Sequence, residues 1–199
     1  MPKSIIPGGT LKDKRIIAAE IFILWLFPLL WGLLLLPRTV LPFLLLGWLS
    51  LRLRRLGWRE VGLRHPRNWL RTILVGIATG GSLAIISNLI LRPLLYARLV
   101  QPDAIDPRDF SFLQRNLPVF LVVLAFNWLL AAIAEEMVFR GYVLNRLVDF
   151  FGCSIVGWGC SIMLSSLMFS VSHGVYTPGF ILFSTLSGLL YSILYLVSQ

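Results

Sequence analysis

The chain has 199 residues, of which 57% are hydrophobic and only 14% are charged. A soluble domain carries about a quarter charged residues, so this composition excludes an ordinary soluble domain and indicates a membrane domain. The net charge of +9 is concentrated between apolar segments, which is typical of a cytoplasmic membrane face and not of a nucleic-acid-binding protein. We therefore expect an integral membrane protein that contacts the lipid bilayer and binds no nucleic acid.

The apolar segments predict an all-α, polytopic bundle of about six transmembrane helices. Residues 1–55 are expected to form an N-terminal membrane hairpin, and residues 56–199 a membrane core. The second segment is short for a full span, so a re-entrant or interfacial segment is the alternative there. The predicted spans are Ile16–Leu36, Leu41–Leu51, Leu70–Leu91, a helix from Leu117 through Ala134 to Arg140, Ser154–His173, and a helix from Pro178 to the C-terminus.

Basic residues indicate the orientation of the bundle. Seven arginines crowd the loop that follows the second segment, namely Arg52, Arg54, Arg55, Arg59, Arg64, Arg67 and Arg71. If the second segment crosses the membrane, this loop lies on the same side as the basic N-terminus, and the positive-inside rule assigns that side to the cytoplasm. We expect a multi-pass protein of the plasma membrane with a cytoplasmic N-terminus.

A repeat of small residues marks one face of the sixth span. Ser184, Gly188 and Ser192 recur every four residues, so they share one face of a helix. Small side chains let two helix backbones approach closely in a membrane. This face is therefore expected to contact a neighbouring helix.

Two adjacent acids, Glu135 and Glu136, stand at the end of the apolar part of the fourth span. An ionised acid at the centre of a span costs about 2.5–3.5 kcal/mol on insertion scales, so its presence needs an explanation. Arg140 lies one helical turn after Glu136 and can pair with it, whereas Glu135 points about 100° away and has no such partner. A carboxylate held away from water in this manner can serve as a general base. His173, at the end of the fifth span, is the only histidine in a predicted span.

The spacing leaves other interpretations open. The pair of Glu136 and Arg140 is compatible with a purely structural role, and Glu135 is compatible with a proton site in a small transporter. A further condition concerns the depths of Glu135 and His173 in the membrane. In antiparallel helices, Glu135 near the cytoplasmic end and His173 near the far end meet only if the fifth span is shifted or tilted, or if the site lies deep.

Two motifs resemble one known family. Residues 135–141, EEMVFRG, match the EExxxR motif of the CPBP family, which contains CAAX prenyl proteases and bacteriocin-processing (Abi) proteins. Residues 169–173, FSVSH, match the FxxxH motif of that family. The segment Gly57–Arg64 is similar to the linker that often leads into the family core, so the resemblance extends from about Leu56 to the end of the sequence.

The resemblance implies an intramembrane endopeptidase that acts on a peptide or membrane-protein substrate. Glu135 would activate the attacking water and His173 would position or polarise it, while Glu136, Arg140 and Phe169 would support the site. No cofactor is expected. Zinc, held by Glu135 and His173, is the alternative, although a catalytic zinc usually has three protein ligands. The resemblance says nothing of the oligomeric state.

One family feature is missing from the sequence. Family members usually carry a later histidine in an HxxxN-type pattern, whereas this sequence has no histidine after His173 and no asparagine after Asn145. We therefore expect a core that is short at its C-terminal end. The alternative function is a catalytically inactive membrane scaffold, a pseudo-protease of the same fold.

Overall fold

A computed structural model describes residues 14–33, 40–59, 61, 68–91, 93–94, 107–173 and 178–198. Within these ranges the regular secondary structure is helical and contains no strand, so the predicted all-α bundle is confirmed. A short 3-10 helix, Pro107–Leu113, precedes the fourth main helix. The main helices are α1 (Lys14–Leu33), α2 (Leu41–Leu53), α3 (Trp69–Ile86, extended by a π-helical turn over Ser87–Leu91), α4 (Leu117–Phe151), α5 (Ile155–Ser172) and α6 (Pro178–Ser198).

Four helices in the described part of the chain, α3 to α6, are each long and apolar enough to cross a membrane. The helix α2 is also apolar but has only 13 residues. At 1.5 Å per residue it is about 20 Å long, which is shorter than the roughly 30 Å hydrocarbon core of a bilayer. The crossing of α2, and with it the cytoplasmic position of the N-terminus, stays a prediction.

Polar side chains mark the beginnings of three helices by accepting a backbone N–H from the first turn. These caps satisfy N–H groups that have no partner within the helix. The pairs are Asn68 with the N–H of Arg71 (3.0 Å), Asn116 with that of Val119 (3.4 Å) and Ser154 with that of Gly157 (3.0 Å).

The fourth helix is longer than the sequence interpretation allowed. The prediction that it reaches only to about Arg140 is wrong, because α4 continues to Phe151. Leu144, Leu147 and Val148 recur at helical spacing and are almost fully buried, so packing stabilises this additional length. Within α4, two π-helical segments, Trp128–Ala134 and Glu136–Val143, meet at Glu135. Such π-segments often occur at functional sites.

A tight turn joins α4 to α5. Gly152 has a φ of 92°, in the left-handed region that favours glycine. A Cβ atom on Gly157 would lie 2.1 Å from the carbonyl oxygen of Gly152. Only a glycine therefore fits at Gly157 without moving the turn, and the close approach allows α5 to fold back along α4.

The contact between α5 and α6 uses the small residues singled out in the sequence. A Cβ atom on Gly188 would lie 2.9 Å from the Cβ of Ser166. The hydroxyl oxygens of Ser170 and Ser184 are 2.5 Å apart, and Ser184 and Ser192 are both buried. The predicted helix-contact face of the sixth span is confirmed.

The N-terminal helices pack on the core and are joined to it by hydrogen bonds. Glu20 of α1 accepts hydrogen bonds from Ser50 (3.1 Å) and Arg54 (2.7 Å) of α2. It also accepts a longer one, of 3.4 Å, from the Tyr142 hydroxyl of α4. Apolar side chains of α1 and α2, including Phe43, belong to the same buried cluster as α4 side chains. The division of the chain between residues 55 and 56 stays a prediction.

Candidate active site

The fold places Glu135 and His173 at the same level of the bundle. Glu135 lies 16 residues before Phe151, the last residue of α4, and His173 lies 18 residues after Ile155, the first residue of α5. At about 1.5 Å per residue both are therefore roughly 25 Å from the turn that joins the two helices. Glu135 and His173 therefore do not lie at opposite ends of the antiparallel helices, because α4 continues for 16 residues after Glu135.

A hydrogen bond and two neighbouring aromatic rings hold the imidazole of His173 in place. Its Nδ1 lies 2.8 Å from the carbonyl oxygen of Phe169, one turn earlier in α5. A carbonyl oxygen only accepts hydrogen bonds, so Nδ1 carries the proton and Nε2 is the unprotonated nitrogen of the neutral ring. The imidazole also makes an edge-to-face contact with the Phe169 ring, at 4.7 Å between centroids, and lies 5.9 Å from the Phe180 ring of α6. Nε2 is thereby the nitrogen left for a water or a substrate.

Arg140 is enclosed between α4, α5 and α6. Its side chain is only 1% exposed, and Nη1 lies 3.1 Å from Oε1 of Glu136, whose side chain is 48% exposed. The guanidinium carbon lies 4.6 Å from the centre of the Phe169 ring and 5.2 Å from that of Tyr191. Since Phe169 contacts both Arg140 and His173, it joins the EExxxR and FxxxH motifs. The predicted supporting residues therefore form a continuous series of contacts that runs from Glu136 through Arg140 and Phe169 to His173.

Side chains from outside the motifs hold the π-helical segment that carries Arg140. The Ser165 hydroxyl of α5 donates to the carbonyl oxygen of Phe139 at 2.9 Å. The Asn145 amide donates to the carbonyl oxygen of Gly141 at 2.7 Å. The sequence analysis did not identify Ser165 or Asn145. The sequence signal was a polar residue in a largely apolar segment, which does not distinguish these positions from neighbouring polar residues such as Ser166 and Arg146.

A second polar cluster lies between α1, α2 and the end of α4, and the sequence analysis missed it as well. It contains Glu20, Arg54 and Tyr142 with the contacts given above, and beside them an ion pair in which Nη2 of Arg146 lies 2.6 Å from Oδ2 of Asp149. The signal for Glu20 was present, because an ionised residue inside a predicted span needs a partner. The signal for the ion pair was its spacing of three residues on one helix face.

The described residues do not provide a metal site of the usual kind. Among them, no group of three or more histidine, cysteine, aspartate or glutamate side chains could hold a metal ion. A catalytic zinc usually has three protein ligands, and Glu135 with His173 supplies two. These two donors do not make up the usual ligand set of a catalytic zinc.

A comparison with protein families locates the resemblance within the chain. Residues 117–199 match the family model described as Rce1-like, type II CAAX prenyl endopeptidase Rce1-like. This segment is therefore similar to the Rce1-like family. The matched range contains α4, α5 and α6, and it confirms the family recognised from the two motifs. It begins at Leu117, whereas the resemblance was expected from about Leu56.

The family match defines the general class of the protein. The Rce1-like family is a family of proteases, and the matched segment contains three of the four apolar helices able to cross a membrane. The chain is therefore an integral membrane protein, and its segment 117–199 is similar to a family of proteases. Searches of the curated proteins and of the solved structures found no match to the chain.

Proposed function

We propose that this protein is an intramembrane endopeptidase that hydrolyses peptide bonds with a water activated by Glu135. The observation that carries the proposal is the position of Glu135 and His173 at one level on two antiparallel helices, with the Phe169 ring in contact with both Arg140 and His173. A carboxylate and an imidazole that approach one water molecule are a suitable pair for general acid–base catalysis.

The proposed reaction begins when Glu135 removes a proton from the water. The water oxygen then bonds to the carbonyl carbon of the peptide, and the π electron pair of the carbonyl moves to its oxygen. When this tetrahedral species collapses, the C–N bond breaks and the leaving nitrogen takes the proton from Glu135. One water has then been added across the peptide bond, and the Glu135 carboxylate is restored.

His173 orients the water in this proposal. Its Nδ1 is engaged by the Phe169 carbonyl, so Nε2 accepts a hydrogen bond from the water and leaves the second water proton directed towards Glu135. Glu136, Arg140 and Phe169 hold the two helices in this arrangement through the ion pair and ring contacts described above. No metal or other cofactor takes part.

The proposed substrates are peptides or membrane proteins that reach the site from the bilayer, with the protein in the plasma membrane and its N-terminus in the cytoplasm. The similarity to type II CAAX prenyl endopeptidases supports a peptide that ends in a CAAX sequence and carries a prenyl group. An unmodified peptide is the comparison substrate, because the proposed reaction takes place at the peptide bond and not at the prenyl group.

The test uses the purified protein reconstituted in phospholipid vesicles. It is incubated with an internally quenched peptide ending in CAAX, in farnesylated and unmodified forms. We expect cleavage by the wild type and a loss of about 10²–10⁴-fold for Glu135→Gln and for His173→Ala, the range of general acid–base catalysis. His65→Ala, in the Arg-rich loop and outside the described residues, is the matched histidine control and should retain wild-type activity.

The alternative, an inactive scaffold of the same fold, gives a different result. It predicts no cleavage of either peptide by the wild type, and no difference between the wild type and Glu135→Gln. Cleavage that persists in Glu135→Gln at the wild-type rate would also contradict the proposal. Thermal unfolding of each variant in detergent shows whether a loss of activity comes from a loss of folded protein.

A further inference from the structure

Arg140 has hydrogen-bonding capacity that the described structure does not use. Nε, Nη1 and Nη2 are all buried, and none of them makes an aligned hydrogen bond within the described part of the chain. Nη1 has the charge contact with Glu136 at 3.1 Å, which leaves Nε and Nη2. These two nitrogens carry parallel N–H bonds on one edge of the planar guanidinium. A buried charged group with unsatisfied donors is costly, so this edge requires an explanation.

The guanidinium is also held in place. It lies between the Phe169 ring at 4.6 Å and the Tyr191 ring at 5.2 Å, and such cation–π contacts are strongest where water is excluded. An arginine that only neutralised Glu136 would not need to be buried, because Glu136 itself is half exposed. The burial therefore points to a second task for the positive charge.

Arg140 is a fixed positive charge beside the proposed catalytic pair. Its Nη1 lies 3.1 Å from Oε1 of Glu136, the residue that follows Glu135 in the chain, and it shares Phe169 with His173. During peptide hydrolysis, negative charge develops on the carbonyl oxygen next to the group that activates the water. Donors fixed in advance where this charge develops are usually the largest single contribution to the rate of such a reaction.

We propose that the Nε–Nη2 edge of Arg140 binds the carbonyl oxygen of the scissile peptide bond and stabilises the oxyanion formed when water attacks. This inference rests on the proposed function and adds a further catalytic residue to it. As the carbonyl π pair moves to oxygen, the two N–H groups donate to the resulting oxyanion. They release it when the C–N bond breaks and the carbonyl re-forms. Arg140 keeps its protons throughout.

Access to this edge requires a movement. The nitrogens of Arg140 are closed to solvent, but of its two neighbouring rings Tyr191 is 38% exposed, whereas Phe169 is 7% exposed. The peptide therefore reaches the guanidinium by displacing Tyr191 of α6. Arg140 exchanges a ring contact for a hydrogen-bonded oxygen when the substrate binds.

The test compares Arg140→Gln with Arg140→Lys in vesicles, with the exposed arginine variant Arg52→Gln as control. For Arg140→Gln we expect kcat to fall about 10²–10³-fold with little change in KM, because the oxyanion exists only in the transition state. A phosphinic peptide, whose tetrahedral centre imitates the oxyanion, should lose affinity for Arg140→Gln by a similar factor. Arg52→Gln should leave both quantities unchanged.

The conservative variant keeps the inference testable if Arg140→Gln does not fold. Lysine retains the charge but lacks the two parallel donors, so Arg140→Lys should lose at least about tenfold in affinity for the phosphinic peptide. Wild-type kcat and wild-type analogue affinity in Arg140→Lys would overturn the inference. The same holds for a change in KM alone in Arg140→Gln.

The outcome also separates this inference from the proposed function. A wild type that cleaves the peptide, with Arg140 variants that cleave it equally well, contradicts the oxyanion role and leaves the Glu135 mechanism standing. A wild type that neither cleaves the peptide nor binds the phosphinic analogue contradicts both.

Discussion

The two ends of α4 have opposite surroundings. In the first turns, Leu117–Asn127, none of the residues is buried, and most of the exposed side chains are large and apolar. In the last turns, Leu144–Phe151, the buried residues include Asn145 and Arg146 as well as leucine and valine. One continuous helix thus begins with an exposed apolar segment and ends with a buried segment of mixed polarity.

The surface of α3 and the interface between α5 and α6 differ in the same way. The described residues of α3 include no buried position, whereas serines line the interior of α5 and α6. In water this distribution would be unstable, because polar groups inside and apolar groups outside both raise the free energy of the folded state. In lipid it is favourable, since the bilayer solvates the apolar surface and polar side chains inside the bundle can bond to one another or to backbone carbonyls. The buried polar side chains are Ser50, Arg140, Asn145, Arg146, Ser161, Ser165, Ser166, Ser170, Ser184 and Ser192.

The largest effect on the free energy of unfolding is expected in the polar interior, at the ion pair of Arg146 and Asp149. Their side chains are 1% and 4% exposed, so Arg146→Ala leaves a buried carboxylate without its guanidinium. We expect destabilisation by about 3–5 kcal/mol, measured by denaturant unfolding in detergent micelles. The double variant Arg146→Met with Asp149→Leu should recover most of the loss, because it removes both charges. Full wild-type stability in Arg146→Ala would show that the pair contributes nothing.

The matched control for this prediction is an arginine at the surface. Arg52 lies 5.5 Å from the Trp48 ring and its residue is exposed. Arg52→Ala should cost less than about 1 kcal/mol, the range of an exposed cation–π contact. If it costs as much as Arg146→Ala, the contrast between interior and surface charges does not hold.

A somewhat smaller effect is expected on the outward face of α3. Ile77 is 68% exposed and belongs to an apolar helix of membrane-spanning length. Ile77→Asp should raise the apparent free energy of membrane insertion of this helix by about 3 kcal/mol, measured by glycosylation mapping in microsomes. Ile77→Leu, the matched apolar substitution, should insert as the wild type does. Equal insertion of both variants would contradict a lipid-facing α3.

The smallest expected effect is a difference in stability between alanine substitutions at two glycines, both of which lie within apolar helices. A Cβ on Gly188 would lie 2.9 Å from Ser166, whereas a Cβ on Gly80 of α3 would have no neighbour within 4 Å. Gly188→Ala should therefore destabilise the protein by about 1–3 kcal/mol through overpacking. Gly80→Ala should stabilise it by up to about 1 kcal/mol, because alanine loses less backbone freedom in a helix. Thermal unfolding in detergent measures both shifts, and shifts of the same sign would contradict the prediction.

Much of the fold follows from local sequence. Long apolar segments define the spans, because a helix needs about 20 apolar residues to cross a bilayer. The caps at Asn116 and Ser154 and the glycine at the α4–α5 turn act on their immediate neighbours in the chain. The ion pair of Glu136 with Arg140 follows from a spacing of one helical turn, and the interface face of α6 follows from its repeat of small residues.

The length of α4 shows where local interpretation fails. Asn145, Arg146 and Asp149 make the segment after Arg140 look like a polar connection. Leu144, Leu147 and Val148 have helical spacing, but that pattern is short and its burial depends on α5. Asn145 has a partner that is distant in the chain, because its amide donates to the Tyr195 hydroxyl at 3.3 Å. Such partners lie far away in the chain and are not visible in a local pattern.

The sequence by itself determined the helical class, the membrane environment and the identity of the two motifs. Each of these depends on composition or on spacings of a few residues. Only the tertiary structure decided that Glu135 and His173 stand at the same level, that Phe169 joins Arg140 to His173, and that Glu20 bonds to Tyr142. Those contacts depend on how far α4 extends before the chain turns back, and this length is set by the packing of helices that are distant in sequence.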